Sequence, residues 1–166
     1  IKTDIRNPPN AINLITWLYK TNDGITSEAW GYKEDLSDKL DYYRHFPDEK
    51  TLLETFLKKI AKDADILVGH NSSSFDDPMI YYRAARIGIN PRIMSPFNII
   101  TEKTKNNKFG EYYTVDIMGI NQLDTIDLLK TFYITLQKYS LEYTSKFILG
   151  DKIGGKIDYS EEGNLN

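Results

Sequence analysis

The stretch "DILVGHNSSSFDDPMIYYRAARIG", from Asp65 to Gly88, decides the fold class. Its first part, "DILVGH", is short, apolar and β-branched, and it predicts a strand that is buried on both faces. In the acidic pair that follows, Asp77 is predicted to cap a helix with Pro78 at its first position, and Gly88 is placed to end that helix. A strand, a polar turn and a helix in this order indicate a layered α/β fold.

The chain before this stretch predicts a β-hairpin and a helix. The β-rich segment "AINLITWLYK", Ala11 to Lys20, is followed by a turn at Asn22, Asp23 and Gly24 and by a second arm, "ITSEAWGY". Further on, apolar residues recur on one helical face, and Asp48 is the expected N-cap. The apolar positions of that face are Leu52, Leu53, Phe56, Leu57 and Ile60.

The chain after the stretch predicts a ribbon and two more helices. The segment from Phe97 to Ile117 has β-rich arms around a polar tip, which predicts a long protruding hairpin inserted into the domain. The segments "LDTIDLLKTFYI" and "YSLEYTSKFILG" are typical of helices, and the second is capped by Ser140 and ended by Gly150. The basic side chains that crowd the tip of the ribbon are Lys103, Lys105 and Lys108.

The composition is that of one ordinary globular domain. The 166 residues are 40% apolar and 13% aromatic, which is enough to bury a core. The formal net charge of −3 neither indicates nor excludes a nucleic-acid binder, because an acidic metal site can offset a basic groove. The chain has no cysteine, which excludes disulfides and thiolate metal sites and fits an intracellular protein. No apolar run approaches the roughly 18 residues of a membrane span.

The order of these pieces resembles the proofreading 3′→5′ exonuclease domain of a family B replicative DNA polymerase, especially the phage type. The most specific part is "NSSSFDDP", which is similar to the family's second exonuclease motif, Asn-x-x-x-(Phe/Tyr)-Asp, with Asn71, Phe75 and Asp76 at the defined positions. "GINQLDTIDLLKTF" and "YSLEYTSKF" resemble the stretch that leads to the third motif, and the basic hairpin lies where the family has its strand-partitioning hairpin. The resemblance covers most of the chain and implies an RNase H-like α/β fold, which is a mixed sheet flanked by helices.

The resemblance also implies a two-metal nuclease site, and the residue types fit that chemistry. Phosphodiester hydrolysis of this kind needs several carboxylates to hold two Mg²⁺ or Mn²⁺ ions, and Asp76 is the expected catalytic and metal-binding carboxylate. Phe75 can stack on an unpaired terminal base, and Asn71 can hydrogen-bond the substrate or fix the loop. Each residue alone has another interpretation, because Asp76 could be only a helix cap and Phe75 only a core residue.

The partners follow from the same resemblance. Lys103, Lys105 and Lys108 are candidate contacts to DNA, or alternatively a solvated loop tip. The implied substrate is the single-stranded 3′ end of a primer on its template, and a sliding clamp is a further partner implied for the parent protein. The implied location is the cytoplasm of a bacterium or of a virus-infected host cell. His45 and His70 are interpreted as structural or exposed side chains and not as metal ligands.

The other two exonuclease motifs do not match well. The first is Asp-Ile-Glu, and its nearest counterpart, "TDIRN", has Arg6 in place of the Glu, so Asp4 is interpreted as a loop residue. The third is Tyr-x-x-x-Asp on a helix, and the two matches, which end at Asp23 and Asp116, fall at a turn and in a β-rich arm. The true motifs are expected outside the chain, which is interpreted as one truncated exonuclease domain, residues 1–166, that is inactive alone. The alternatives are a free-standing DEDD-type 3′→5′ exonuclease and a non-catalytic nucleic-acid-binding module.

Overall fold

A three-stranded sheet lies near the beginning of the chain. The computed structural model describes residues 4–107 and 110–150. Strands β1 (Leu14–Thr21) and β2 (Gly24–Gly31) pair in antiparallel orientation along their whole length. The short strand β3 (Tyr43–His45) joins β2 in parallel orientation. The N-terminal hairpin predicted from the sequence is therefore confirmed.

The helix with the clearest amphipathic pattern packs its apolar face into the core. Helix α1 (Glu49–Asp63) begins after Asp48, whose side chain accepts a hydrogen bond of 2.7 Å from the backbone N–H of Thr51. This satisfies one of the donors that a helix start leaves unpaired, as the sequence predicts. The apolar face lies against Trp30 and Phe46 in the core cluster. The buried side chains of α1 are Leu52, Leu53, Phe56, Leu57 and Ile60.

The decisive stretch forms the predicted order of strand, turn and helix. Strand β4 (Ile66–Gly69) is followed by a short 3₁₀ turn (Ser72–Ser74) and by helix α2 (Asp76–Arg86). The prediction that this strand is buried on both faces was wrong, because Ile66 is 53% exposed and Val68 is 67% exposed. These two residues alternate with the half-buried Leu67, so in the described ranges only one face of β4 is covered.

Helix α2 begins two residues earlier than the sequence predicts. Asp76 is its first residue and Phe75 occupies the cap position without a side-chain hydrogen bond to the helix, so the prediction that Asp77 is the N-cap was wrong. The end of the helix agrees with the prediction, because Gly88 follows it with a φ of +77°, a conformation that glycine adopts at low cost.

A buried ion pair fixes α2 to the start of α1. Arg83 is 8% exposed, and its Nε and Nη2 donate to the two carboxylate oxygens of Glu49 at 2.7 and 2.6 Å. Its Nη1 donates to the carbonyl oxygen of Pro8 at 3.1 Å, and the N–H of Ile12 donates to Glu49 at 2.7 Å. The charges are both paired and hydrogen-bonded, which is the condition for burying them, and they hold α2 at a fixed position.

The ribbon segment contains two long antiparallel strands. Within Phe97 to Ile117, strands β5 (Ile100–Asn107) and β6 (Gly110–Ile117) pair residue by residue from their base to the turn. Val115 is 2% exposed and packs in the core cluster together with the last residue of β6. The base of the ribbon is therefore part of the main core.

A short strand that the sequence did not predict pairs with β4. Strand β7 (Asn121–Asp124) runs parallel to β4, with Asp124 opposite Gly69. The predicted helix starting at Leu123 begins instead two residues later, as α3 (Thr125–Thr131). Because parallel strands present their carboxyl ends at the same edge of a sheet, this pairing places Asp124 beside the turn that follows β4.

The remaining described residues form a second compact unit, which begins at Thr125. Its helix α4 (Leu141–Leu149) is capped by the hydroxyl of Ser140 and ends at Gly150, as predicted. Across the described ranges the chain thus combines four α-helices with strands in three sheets, so the predicted α/β fold class is confirmed and agrees with an RNase H-like domain. No helix in these ranges is long and apolar enough to cross a membrane.

Candidate functional site

The turn between β4 and α2 needs the residues that the sequence places there. A Cβ atom on Gly69 would lie 2.3 Å from the Cβ of Ser72, so a larger residue would push the turn apart. Asn71 has a φ of 63°, in the left-handed region that Asn tolerates better than most residues. Its side-chain oxygen accepts a hydrogen bond of 2.8 Å from the hydroxyl of Ser74. Of the two roles predicted for Asn71, the structure contains the one that fixes the loop.

Asp124 holds this turn from the neighbouring strand. One of its carboxylate oxygens accepts a hydrogen bond of 3.0 Å from the N–H of Asn71. The other accepts from the N–H of Ser73 at 3.1 Å and from the hydroxyl of Ser73 at 2.9 Å. Asp124 is 8% exposed, so these hydrogen bonds to a charged acceptor form away from water, where they are strongest.

Gln122 holds the first turn of α2 in a similar way. Its Nε2 donates to the carboxylate of Asp77 at 2.7 Å and to the carbonyl oxygen of Val115 at 3.1 Å. Its Oε1 accepts from the N–H of Ile117 at 2.9 Å. Asp77 is therefore bound to Gln122 across the sheet edge and does not cap its own helix. The pKa of Asp77 is raised to about 6, chiefly by burial; the charges of Asp76 and Asp124 contribute to the rise, and the hydrogen bond from Gln122 opposes it.

Asp76 lies in the chain between the turn that Asp124 binds and Asp77, which Gln122 binds, and its side chain is exposed. Loss of hydration around its carboxyl group raises the pKa of Asp76; its own backbone amide opposes this, and the charge of Asp124 adds to it. The carboxylates of Asp76, Asp77 and Asp124 therefore interact unfavourably with one another. Such a group of like charges attracts a cation, and Asp76 is the member that is open to solvent.

Asp76 is the residue of this site that fits a metal ligand. In the part of the chain that the structure describes, no group of three or more His, Asp or Glu side chains is arranged to hold a metal ion. Asp124 already accepts three hydrogen bonds and Asp77 is bound to Gln122. The donor chemistry of Asp76, an exposed oxygen ligand beside other negative charge, suits Mg²⁺ or Mn²⁺.

Phe75 is exposed directly beside Asp76. It has 43% of its surface accessible to solvent, so it is not a core residue of the described chain. Its ring is available to stack on a flat partner next to the carboxylate. A stacking role for Phe75 stays a prediction.

The two ribbon lysines that the structure describes, Lys103 and Lys105, lie on strand β5. Lys103 forms an ion pair with Asp116 on the facing strand, and both side chains are about half exposed. Lys105 is also exposed, and Lys108 lies outside the described residues. On the other side of the ribbon, Glu102 accepts hydrogen bonds from the hydroxyls of Tyr81 and Tyr82 at 3.0 and 2.7 Å, which ties β5 to α2.

The partial motif matches lie apart from the site. Asp4 is exposed and accepts a hydrogen bond of 3.1 Å from the N–H of Arg6 within a turn. Asp23 lies in the hairpin turn and Asp116 in β6, so neither belongs to a helical Tyr-x-x-x-Asp motif. His45 is exposed on β3, which agrees with the interpretation made from the sequence.

Sequence reasoning did not find Gln122 and Asp124. Both lie in the four-residue strand β7, which has no β-branched residue and no glycine or proline at its ends. One signal was available: Asp124 directly precedes a helical pattern, and polar residues at the carboxyl end of a strand often line a site in α/β folds.

Comparison with known proteins identifies the family of this chain. Residues 9–144 match the family described as DNA polymerase family B, exonuclease domain. A DNA-directed DNA polymerase of Escherichia phage RB69 is 36% identical over 129 residues, which cover 75% of this chain and 14% of that protein. A DNA polymerase of Pyrococcus glycovorans is 30% identical over 138 residues, covering 82% of this chain and 16% of that protein.

A eukaryotic relative shows the same pattern at lower identity. The DNA polymerase delta catalytic subunit of Candida albicans is 27% identical over 120 residues, which cover 66% of this chain and 11% of that protein. The chain thus spans less than a fifth of the length of each of these relatives. Because the family match covers most of the chain, including the turn that carries Asp76, the chain belongs to the exonuclease-domain family of the family B DNA polymerases.

Proposed function

We propose that this chain is part of a DNA polymerase and contributes to a 3′→5′ exonuclease site that removes mispaired nucleotides from the single-stranded 3′ end of a primer. The observation that carries the proposal is the exposed carboxylate of Asp76, placed at the start of α2 beside two further carboxylates. The family membership supports the reaction class, since the relatives are named DNA polymerases.

Asp76 is proposed to hold one of two divalent metal ions, Mg²⁺ or Mn²⁺. Bound metals of this kind would activate water and stabilise the leaving oxygen of the scissile phosphodiester. The contribution of this chain is to present Asp76 as an ionised oxygen ligand on a fixed helix start, with the charges of Asp77 and Asp124 adding to the attraction for a cation. Further carboxylates are needed to complete such a site, and one aspartate alone would leave most of the coordination shell to water.

Phe75 is proposed to place the terminal nucleotide. An exposed aromatic ring next to the metal ligand can stack on any base, which suits an enzyme that must remove all four nucleotides. Asn71 is proposed to fix the shape of the loop that meets the substrate, because its side-chain oxygen accepts a hydrogen bond from Ser74 within the turn. Asn71 is also exposed, and it is proposed as a substrate-binding residue.

The ribbon is proposed to contact DNA and help keep primer and template strands apart. Lys105 is exposed on β5, and Lys103 on the same strand is about half exposed although it is paired with Asp116. Lys108 is included on its charge alone. Backbone phosphates attract such lysines without regard to sequence. For the longer protein, a sliding clamp is a further proposed partner, and the proposed location is the cytoplasm of a bacterium or of a virus-infected host cell.

Two other functions make different predictions. A free-standing 3′→5′ exonuclease would degrade DNA without polymerising it. A non-catalytic nucleic-acid-binding module would bind DNA without a metal at Asp76. Assays of polymerisation, excision and Mg²⁺ binding on the longer protein that contains this chain separate these functions from the proposal.

The direct test replaces Asp76 by Ala in that longer protein. Excision of a mismatched primer terminus should fall by several orders of magnitude, because a metal ligand is lost, while polymerisation at its separate site continues. Asp23→Ala is the matched control, since Asp23 is an exposed aspartate in the hairpin turn and away from the site. Normal excision by the Asp76→Ala protein would show that the catalytic carboxylate is misassigned.

A further inference from the structure

Two side chains of β7 hold the chain on either side of Asp76. Gln122 and Asp124 are two residues apart in one strand, so they project from the same face. Asp124 binds the turn before Asp76, at the backbone of Asn71 and Ser73. Gln122 binds the residue directly after Asp76 through the carboxylate of Asp77.

The start of α2 needs this external support. Its cap position is occupied by Phe75, which makes no side-chain hydrogen bond to the helix. A helix start without a cap tends to open, because its first N–H groups have no acceptor within the helix. The first backbone bond of the helix runs from the N–H of Met79 to the carbonyl of Phe75 at 2.9 Å, and it spans Asp77, the residue that Gln122 binds.

Gln122 is itself held rigidly. Its amide donates to the carbonyl of Val115 and accepts from the N–H of Ile117, so it pairs with the backbone of β6 as another strand would. Together with the bond to Asp77, these contacts use both amide protons and the amide oxygen. The orientation of the side chain is therefore fixed, and the position of Asp77 is fixed relative to the main core.

We propose that Gln122 is a positioning residue for Asp76: it holds the first turn of α2 by donating a hydrogen bond to the carboxylate of Asp77, and so fixes the carboxylate of Asp76 relative to the turn that Asp124 holds. This role rests on the proposed function of Asp76 as a metal ligand. Gln122 contacts neither metal nor DNA in this role, and it acts only through Asp77. A displacement of about 1 Å at a catalytic group can cost roughly a hundredfold in rate. Loss of the hydrogen bond between Gln122 and Asp77 should therefore reduce turnover without weakening DNA binding.

The test exchanges the donor and the acceptor of the bond between Gln122 and Asp77 in the longer protein that contains this chain. The double variant Gln122→Glu, Asp77→Asn is called the reversed pair. In Gln122→Glu, the new carboxylate still accepts from the N–H of Ile117, but it can no longer donate to Asp77 or to the carbonyl of Val115, and it repels the charge of Asp77. In Asp77→Asn, an acceptor oxygen for Gln122 remains. In the double variant, the amide of Asn at 77 donates to the carboxylate at 122, which restores the bond with its polarity reversed. Asn121→Ala, on the opposite face of β7, is the matched control.

The expected kinetic result is specific to turnover. On single-stranded DNA, well below the melting temperature of each variant, Gln122→Glu should lower the kcat of excision about tenfold to a hundredfold, with KM and polymerisation unchanged. The Asn121→Ala control should stay within about threefold of the original protein, and the double variant should be faster than Gln122→Glu alone, because the bond between positions 77 and 122 is regained although the bond to Val115 stays lost. Equal kcat values for Gln122→Glu and Asn121→Ala, or no recovery in the reversed pair, would overturn the role of Gln122.

A second readout does not depend on excision. Hydrogen–deuterium exchange of the peptide from Phe75 to Tyr81 should become faster in Gln122→Glu, stay unchanged in Asn121→Ala and return towards the original rate in the reversed pair. Unchanged exchange in Gln122→Glu would refute the claim that Gln122 stabilises the first turn of α2, even if the enzyme is active. Faster exchange in a protein whose excision does not depend on Asp76 would support the role of Gln122 in stabilising α2 and refute the proposed function instead.

Discussion

Asp77 should make the stability of the fold depend on pH in a way that one substitution removes. Its pKa rises from 3.8 to about 6 on folding, chiefly because its carboxyl group is buried. A raised pKa means that the folded protein binds the proton more tightly than the unfolded chain does. The stability that this proton contributes is fully present below pH 3.8 and is lost as the pH rises through about 6.

The size of the effect follows from these two pKa values. The difference between 3.8 and about 6 corresponds to about 3 kcal/mol between low pH and neutral pH. Between pH 5 and pH 8 the same linkage relation gives a loss of about 1.4 kcal/mol. Asp77→Asn removes the titration but keeps an oxygen that accepts the hydrogen bond from Gln122. The variant should therefore be more stable than the original chain at pH 8. The difference between their free energies of unfolding, called the stability gap below, should shrink by about 1.4 kcal/mol at pH 5.

The stability gap is measured by urea unfolding at several pH values from 5 to 8. The two proteins compared are the 166-residue chain and its Asp77→Asn variant. For a slope of about 2 kcal/mol per molar urea, the change of 1.4 kcal/mol corresponds to about 0.7 M in the difference between the two midpoints. Asp23→Asn is the control, since it removes a carboxylate that is exposed in the hairpin turn. A gap that is constant with pH, or that grows towards pH 5, would refute the argument that burial of Asp77 controls this dependence.

Three further outcomes are expected. Phe75→Ala in the longer protein should lower excision about tenfold to a hundredfold while metal binding survives, since stacking is worth about 1–3 kcal/mol per base, and an unchanged rate would remove the stacking role. Replacing Lys103, Lys105 and Lys108 together by Ala should weaken excision from duplex primers but spare single strands, and an equal loss on both substrates would refute strand separation. The 166-residue chain alone should bind Mg²⁺ weakly in calorimetric titration and show no nuclease activity, because Asp76 supplies a single ligand; robust Mg²⁺-dependent degradation of DNA would contradict this assignment.

The parts of the fold that the sequence predicts correctly are those set by local rules. Helix α1 follows from its apolar period and from the cap at Asp48, and the first hairpin follows from its turn residues. The cap and end of α4 follow in the same way from Ser140 and Gly150. In each case the stabilising partner lies within a few residues, so it can be read from the order of residues alone.

The errors occur where partners are distant in the chain. The bonds from Asp124 to the turn join residues 51 and 53 positions apart, and the bond from Gln122 to Asp77 joins residues 45 apart. No local pattern reports such contacts. The local rule made Asp77 a cap because an acidic residue precedes Pro78, but the bond to Gln122 is available only once β7 has paired with β4. Strand β4 was predicted to be buried from its apolar composition, and composition does not say whether a second layer covers each face.

The two adjacent aspartates of "FDDP" have opposite roles, and their partners explain why. A helix N-terminus favours negative charge, so both carboxylates gain from their place in the first turn of α2. That gain does not offset the burial of Asp77, since its pKa remains near 6 and its carboxylate depends on Gln122 for a hydrogen bond. Asp76 is exposed, so a cation can reach its carboxylate. The first aspartate is thus suited to chemistry, and the second is suited to hold the first in place.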